Sequence, residues 1–446
     1  MYRIFLLLVL LTGPGAASGQ PQEHPALRRS LQEALDQATR QNFAVRQAQA
    51  DWHAARAEAH KARAVFLPQL SIAEMGTATN DPLNVFGFKL KQEIVTQADF
   101  NPALLNDPDR ISHFSTRFEV QQPVLNADGF FEYQAAQAYA RAGQQGWQRS
   151  RHYVDFQVKQ AYYGLVLARR SLGVLDSALV AARANRDQAQ QFFDQGLITR
   201  ADLLEADVRL LDLESKRTSA SAGIRNASDQ VRYLLGIDDA VEIIPTDAFE
   251  PFAFENNPVD YEQVNNNRSD MVALRHKTEA ARHMVKASRL KFLPRLNVFG
   301  AYERNDETPF GGHGVNWGIG AMLQWNLFSG FKQIGGVERT RAEWQKARLA
   351  YEDQALKNQV EIEAARRSIE ETRQQRDLAQ AAIRQARENL RIRQDRYGQG
   401  LEKTTDVLNA EITLANQRLA ALQTRYRYYV SIFQLELLLE QPLFNR

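Results

Sequence analysis

"FLPQL" (66–70) returns as "FLPRL" (292–296), about half the chain away. Each copy closes a charged, alanine-rich stretch and opens one in which apolar and polar residues alternate. Proline disfavours helix in the residue before it, so Pro68 and Pro294 mark the points where helix gives way to extended chain. Leu70 and Ile72 then start one strand, and Leu296 and Val298 another. Partner strands follow. Phe114, Thr116, Phe118 and Val120 alternate with Ser115, Arg117, Glu119 and Gln121. Val315, Trp317, Ile319, Ala321, Leu323 and Trp325 alternate with Asn316, Gly318, Gly320, Met322, Gln324 and Asn326. Strands of about 9–11 residues, apolar on one face and polar or small on the other, carry the pattern of a transmembrane β-barrel. The two hairpins cover about 67–125 and 293–328, with Pro123 at the far border of the first.

Outward from the hairpins lie long helices. From Asn126 to about Gln195 helix formers dominate and no proline occurs, with Val158, Leu165, Leu172, Leu179 and Phe193 spaced by sevens or a double seven. From Phe331 to Gln399 the pattern recurs at Val337, Trp344 and Tyr351, then Ile362 and Ile369, then Ile383, Leu390 and Tyr397. The step from Tyr351 to Ile362 is a four-residue stutter, which locally unwinds a left-handed supercoil. At 1.5 Å per residue each stretch is roughly 100 Å long.

Both helices break at a matching place. "QGLITRADLLEAD" (195–207) aligns with "QGLEKTTDVLNAE" (399–411), and Gly196 and Gly400 can take the left-handed cap conformation. A new apolar rhythm follows, Leu204, Val208 and Leu211 in one copy, Leu408, Ile412, Leu419 and Leu422 in the other. Each copy therefore reads as an antiparallel helical hairpin. The chain divides into a first repeat (20–240, tip near 196), a proline- and asparagine-bearing linker (241–262) and a second repeat (263–446, tip near 400).

Composition bounds what such a chain can do. It has 446 residues, no cysteine and a formal net charge of +2. Absent cysteine excludes disulfides, thiolate metal sites, a cysteine nucleophile and an N-terminal lipid-modified cysteine. Near-neutral charge gives no footprint for nucleic acid. "MYRIFLLLVLLTGPGAASGQ" reads as a secretory signal over residues 1–19, with the mature chain starting near Gln20. No later segment approaches the roughly 20 apolar residues of a membrane helix. Four strands cannot close a barrel, and an open edge in lipid leaves backbone groups unsatisfied. The barrel must be shared. Two chains give eight strands, whose interior side chains fill, so a duct needs at least three.

The order of signal, helix, FLPxL, strand pair, long helix, GL-x(4)-D turn and return helix, then the same again, resembles the TolC-like outer-membrane efflux family across nearly the whole mature chain. The resemblance implies an α+β membrane protein: a homotrimer with a twelve-stranded β-barrel in the outer membrane of a Gram-negative bacterium and a helical tunnel in the periplasm. It implies an exit duct and not an enzyme, fed by an inner-membrane pump through a periplasmic adaptor, with no cofactor. Family members carry acidic rings at the periplasmic mouth. Asp406 matches the first such position, Asn409 stands at the second, and Glu402 stands where some members carry a basic residue. Asp202 matches the tip aspartate of the first repeat, and Thr199-x-x-Asp202 also fits a helix-capping box. Tyr397 is a gate side chain or the last member of its apolar stripe. Gly196, Leu197, Gly400 and Leu401 are the expected adaptor contacts.

The other features are bland. His53 and His60, and His276 and His283, are seven apart without a third ligand in pattern, so they read as solvated helix faces rather than a metal site. "GGHG" (311–314) reads as an outer loop, and 76–112 as a long loop folded over the outer mouth. No Ser–His–Asp or paired-carboxylate constellation stands out. The competing reading is a periplasmic coiled-coil scaffold or adaptor without a channel; it gives no reason for two lipid-faced hairpins between repeated helices.

Overall fold

The two alternating stretches do become strands, and the heptad stretches continuous helices. A computed structural model describes residues 25–250, 254 and 258–443; the signal-peptide reading of 1–19 lies outside them. In chain order, β1 (Ala26–Arg29), α1 (Leu31–Gln41) and α2 (Phe43–Lys61) precede β2 (Gln69–Thr79). Next, α3 (Pro82–Lys91) and α4 (Pro102–Asn106) lie between β2 and β3 (Ile111–Leu125). The first long hairpin is α5 (Ala127–Asp194) and α6 (Arg200–Leu234), followed by β4 (Glu242–Pro245). Then come α7 (Tyr261–Asn267), α8 (Ser269–Leu290), β5 (Arg295–Asp306) and β6 (Gly314–Gln324). The second long hairpin is α9 (Lys332–Gly398) and α10 (Thr404–Leu439). The chain folds as two units. One gathers residues up to Ala38, Val158–Glu250 and Ala379–Tyr426; the other gathers Thr39–Gln157, Pro251–Leu378 and the residues from Arg427 on.

The second unit holds the membrane-type sheet. Its four strands run in the order β2-β3-β5-β6, each antiparallel to its neighbours, so the two hairpins join through β3 and β5. The register stacks Ile72, Phe118, Tyr302 and Trp317 in one row across all four strands, and Leu70, Val120, Gly300 and Ile319 in the next. These apolar rows are open: Trp317 and Ile319 are each 76% exposed. On the opposite face Ala73, Arg117, Glu303 and Asn316 align, as do Met75, Ser115, Asn305 and Gly314. Apolar rows that lie open, opposite a face that carries charge, are inside-out for water and correct for lipid. Among the described residues β2 pairs only with β3 and β6 only with β5, so both outer edges are unpaired there.

Pro68 and Pro294 each stand one residue before a strand. Pro123 does not mark a border. It lies inside β3, opposite Asn297, where the register shifts before Leu125. A residue with no N–H to donate is tolerated at such an irregularity. The helical part of this unit buries Ile362, Ile369, Met271, Ile432 and Leu435 completely, and a small-residue contact of Ala135, Ala138 and Ala280 lets helices approach closely. Arg268 is buried there too, in a two-pronged pair with Asp270 at 2.8 Å for both contacts.

In the first unit α5 packs on α6 through Leu175, Leu179, Ala182 and Leu213, and lower down through Ala189, Leu203 and Ala206. The seam is therefore one residue out of phase with the expected rhythm: Leu204, Val208 and Leu211 form an exposed stripe instead. Part of the stretch read as linker is a strand, β4, which pairs in parallel with β1. Tyr162 clamps that pair to α5. Its hydroxyl lies 2.9 Å from both the Arg29 carbonyl oxygen and Asp247 Oδ2, and accepts from the backbone N–H of Thr246 and Asp247 at 3.1 Å. Burial pushes the phenol up to about 12. Tyr162→Phe removes the hydroxyl that accepts from the Asp247 N–H, while the Thr246 N–H keeps the Arg29 carbonyl oxygen at 3.0 Å, a loss of about 1–3 kcal/mol. The expected result is a lower melting temperature in detergent with the barrel signal retained; an unchanged melting temperature contradicts the clamp.

Candidate functional site: the two helical hairpin tips

The tips of the first unit are built alike. α5 ends in a left-handed Gly196 (φ 72°) and α9 in a left-handed Gly400 (φ 73°). At each, the glycine N–H donates three residues back and the following leucine N–H five residues back: Gly196 to Phe193 at 2.9 Å and Leu197 to Phe192 at 2.8 Å, Gly400 to Tyr397 and Leu401 to Arg396 both at 3.0 Å. This double bond closes the helix end, and a residue with a Cβ would be strained at the glycine. The same geometry ejects the next side chain. Leu197 is 66% and Leu401 63% exposed.

The first tip restarts as a capping box. The backbone N–H of Thr199 donates to Asp202 Oδ2 at 2.9 Å, and the Asp202 N–H donates back to Thr199 Oγ1 at 3.4 Å. The hydrogen bonds from the Thr199 hydroxyl and N–H, aided by the nearby Lys403 charge, hold the Asp202 carboxyl below its ordinary value. This cap is complete above the ordinary carboxylate range and is lost as pH falls through the depressed value. Asp202 is thus engaged in helix initiation.

The second tip is a charge cluster. Arg393 Nη1 lies 2.9 Å from Glu402 Oε1 and 3.7 Å from Asp406 Oδ1, while Arg396 Nε lies 2.9 Å from Glu402 Oε2. Glu402 is held between two guanidinium groups and largely buried; Asp406 is the more open carboxylate. Tyr397 is buried beneath them, its ring 5.4 Å from that of Phe192 and its hydroxyl 3.0 Å from Thr404 Oγ1. Asn409 is exposed about a turn further along α10. Arg393 and Arg396 were not legible in the sequence, because their partners lie across a turn, nine, thirteen and six residues on, and no helical spacing links them.

Higher in the same unit Arg186 Nε pairs with Asp207 Oδ1 at 2.8 Å, tying α5 to α6. Burial pushes the Glu411 carboxyl up, partly opposed by Asn185 and Arg209. In the other unit, His276 and His283 both lean on Glu279, at 3.1 and 3.8 Å. Among the described residues no group of three or more side chains is arranged to hold a metal ion, and no helix is long and apolar enough to cross a membrane.

The chain and its fold are similar to those of known proteins. The chain is 21% identical to the alkaline protease secretion protein AprF of Pseudomonas aeruginosa over 352 residues, covering 75% of this chain and 71% of the relative. It is 24% identical to the outer membrane protein OprJ of the same species over 390 residues, covering 85% and 78%. Its fold matches that of the Campylobacter jejuni CmeC outer membrane channel with a TM-score of 0.77 at 19% identity, over 92% of this chain and 85% of that one. The model of the outer membrane efflux protein family matches residues 34–237 and 261–440. With most of both repeats inside those two matches, the chain belongs to the outer membrane efflux protein family.

Proposed function

We propose that three copies of this chain form the outer-membrane exit duct of a tripartite efflux or type I secretion system, with a shared twelve-stranded barrel and a periplasmic helical tunnel. The observation that carries this reading is the four-stranded sheet, with its lipid-type face and two unpaired edges. Each edge in lipid would leave a row of backbone groups unsatisfied, at several kcal/mol each, until a neighbouring copy pairs with it. The exposed stripe Leu204–Val208–Leu211 and the exposed pair Leu356 and Val360 supply helical surfaces for the same neighbours. Substrate would arrive from an inner-membrane pump through an adaptor that meets Gly196, Leu197, Gly400 and Leu401. Asp406, with Asn409 and Tyr397 nearby, would line the periplasmic mouth, Glu402 being held to the side by its arginines. One relative is named for alkaline protease secretion and the other only as an outer membrane protein, so protein is the one class of cargo that these names mention. The test is electrical. Purified protein added to a planar lipid bilayer should give discrete conductance steps of one size class; protein that inserts without conducting overturns the reading.

A further inference from the structure

We infer that α3 is a lid inside the barrel, and that its exposed Leu83–Gly87–Leu90 stripe meets the same stripe of the other two copies to constrict the outer mouth. The inference rests on the three-copy barrel proposed above. Which face α3 occupies follows from its contacts. Lys91 Nζ lies 3.1 Å from Glu303 Oε1, and the same carboxylate oxygen accepts from Ser115 Oγ at 2.9 Å. Gln92 is buried, and its Nε2 donates to the carbonyl oxygens of Ser112 at 3.1 Å and Asp306 at 3.0 Å, 3.1 Å from His113 Nδ1. The Phe88 ring stacks on His113 with centroids 4.1 Å apart. A Cβ on Gly314 would come within 2.0 Å of the Lys91 carbonyl oxygen, so the backbone itself rests on that glycine. Glu303, Ser115, His113 and Gly314 all belong to the polar face. When the apolar face meets lipid, the polar face is the lumen, and α3 must lie within it.

Beside the exposed Asn84, the helix presents an apolar strip to that lumen. Val85 is buried toward its own chain, but Leu83 is 81% and Leu90 53% exposed, and nothing stands within 4 Å of a Cβ added at Gly87. Positions four and three apart share one helix face. That face is an apolar strip with a glycine at its centre, which lets another helix approach closely. A second copy is the occupant that fits, because a closed ring of three places three such strips around one axis, at the end of the sheet away from the long helices. Apolar constrictions of this kind gate by excluding water.

The chain has no cysteine, which gives a clean test. Leu83→Cys and Leu90→Cys, made singly in the full chain, are oxidised in the outer membrane, alongside Leu323→Cys on the lipid face as a control. A disulfide needs Cβ atoms roughly 4 Å apart, and a short bis-maleimide extends the reach. The expected result is a reducible dimer for at least one lid position and none for Leu323→Cys. Adding Gly314→Val should lift the seat of the lid and at least halve the dimer yield while the detergent particle keeps its mass. A trimeric particle in which neither lid position cross-links overturns the lid and leaves the duct standing. A monomeric particle overturns both. A cross-link unaffected by Gly314→Val overturns the Lys91–Gln92 seat as what holds the lid in place.

Discussion

Replacing Leu197 and Leu401 together with glutamate is expected to reduce export to the level of a deletion strain while leaving the protein in the outer membrane. Each leucine follows a left-handed glycine whose cap hydrogen bonds involve backbone only, so the side chain is not needed to close the helix. Surface changes away from structural features usually stay within about 0.5 kcal/mol. Burying a leucine in a partner is worth about 1.5–3 kcal/mol, and a trimer would offer six of them. A carboxylate in the same place must be desolvated without a partner, which adds a penalty to the lost contact. The measurements are export and in-cell cross-linking of the tips to the adaptor. Normal export with normal cross-linking refutes docking at the leucines. Leu197→Ala with Leu401→Ala gives the graded version, an intermediate loss.

The second large effect concerns the charge at the mouth. With Asp406 from three chains facing water, a trivalent cation on the periplasmic side is expected to block conductance by meeting several carboxylates together. Arg393 opposes this, because it stands 3.7 Å from the same carboxylate. An exposed pair of this kind is worth about 0.2–1 kcal/mol, and three such pairs would sum to about 0.6–3 kcal/mol. Arg393→Gln is therefore expected to tighten the block roughly 30-fold, a change of about 2 kcal/mol. Asp406→Asn should weaken it by at least as much. Glu402→Gln should change it less, since Arg393 and Arg396 already occupy that carboxylate, and Asp202→Asn less again, since Asp202 is engaged with Thr199. A block that follows Asp202 or Glu402 instead of Asp406 removes Asp406 from the mouth. Insensitivity to all four places the constriction elsewhere.

How far the sequence led depended on the range of the interaction involved. Strands and long helices are set by periods of two and about 3.6 that repeat over many residues, so β2, β3, β5, β6, α5 and α9 could be read directly. The tip glycines were legible because a left-handed cap has few alternatives. The phase of the α6 seam was not. Leu203 and Leu204 are adjacent and identical, and only the packing against Ala189 and Leu408 selects the first. β4 was missed because a four-residue parallel partner of β1, more than two hundred residues away, leaves no local pattern. Pro123 misled because proline signals both a helix border and a strand irregularity. At the candidate site the carboxylates drew notice as matches to a motif, but their arginines could not. With 55 lysines and arginines in the chain, only the turn at Gly400 decides that Arg393 rather than another faces Glu402 and Asp406.

With both sheet edges unpaired among the described residues, this outer-membrane protein is expected to complete its barrel only with further copies of itself. The most direct test is the mass of the detergent-solubilised particle, measured with the detergent contribution subtracted. The expected result is a single species of three chains that persists on dilution, because each sheet edge would then be paired with a neighbour. A monodisperse monomer, stable in detergent and conducting in a bilayer, would contradict it.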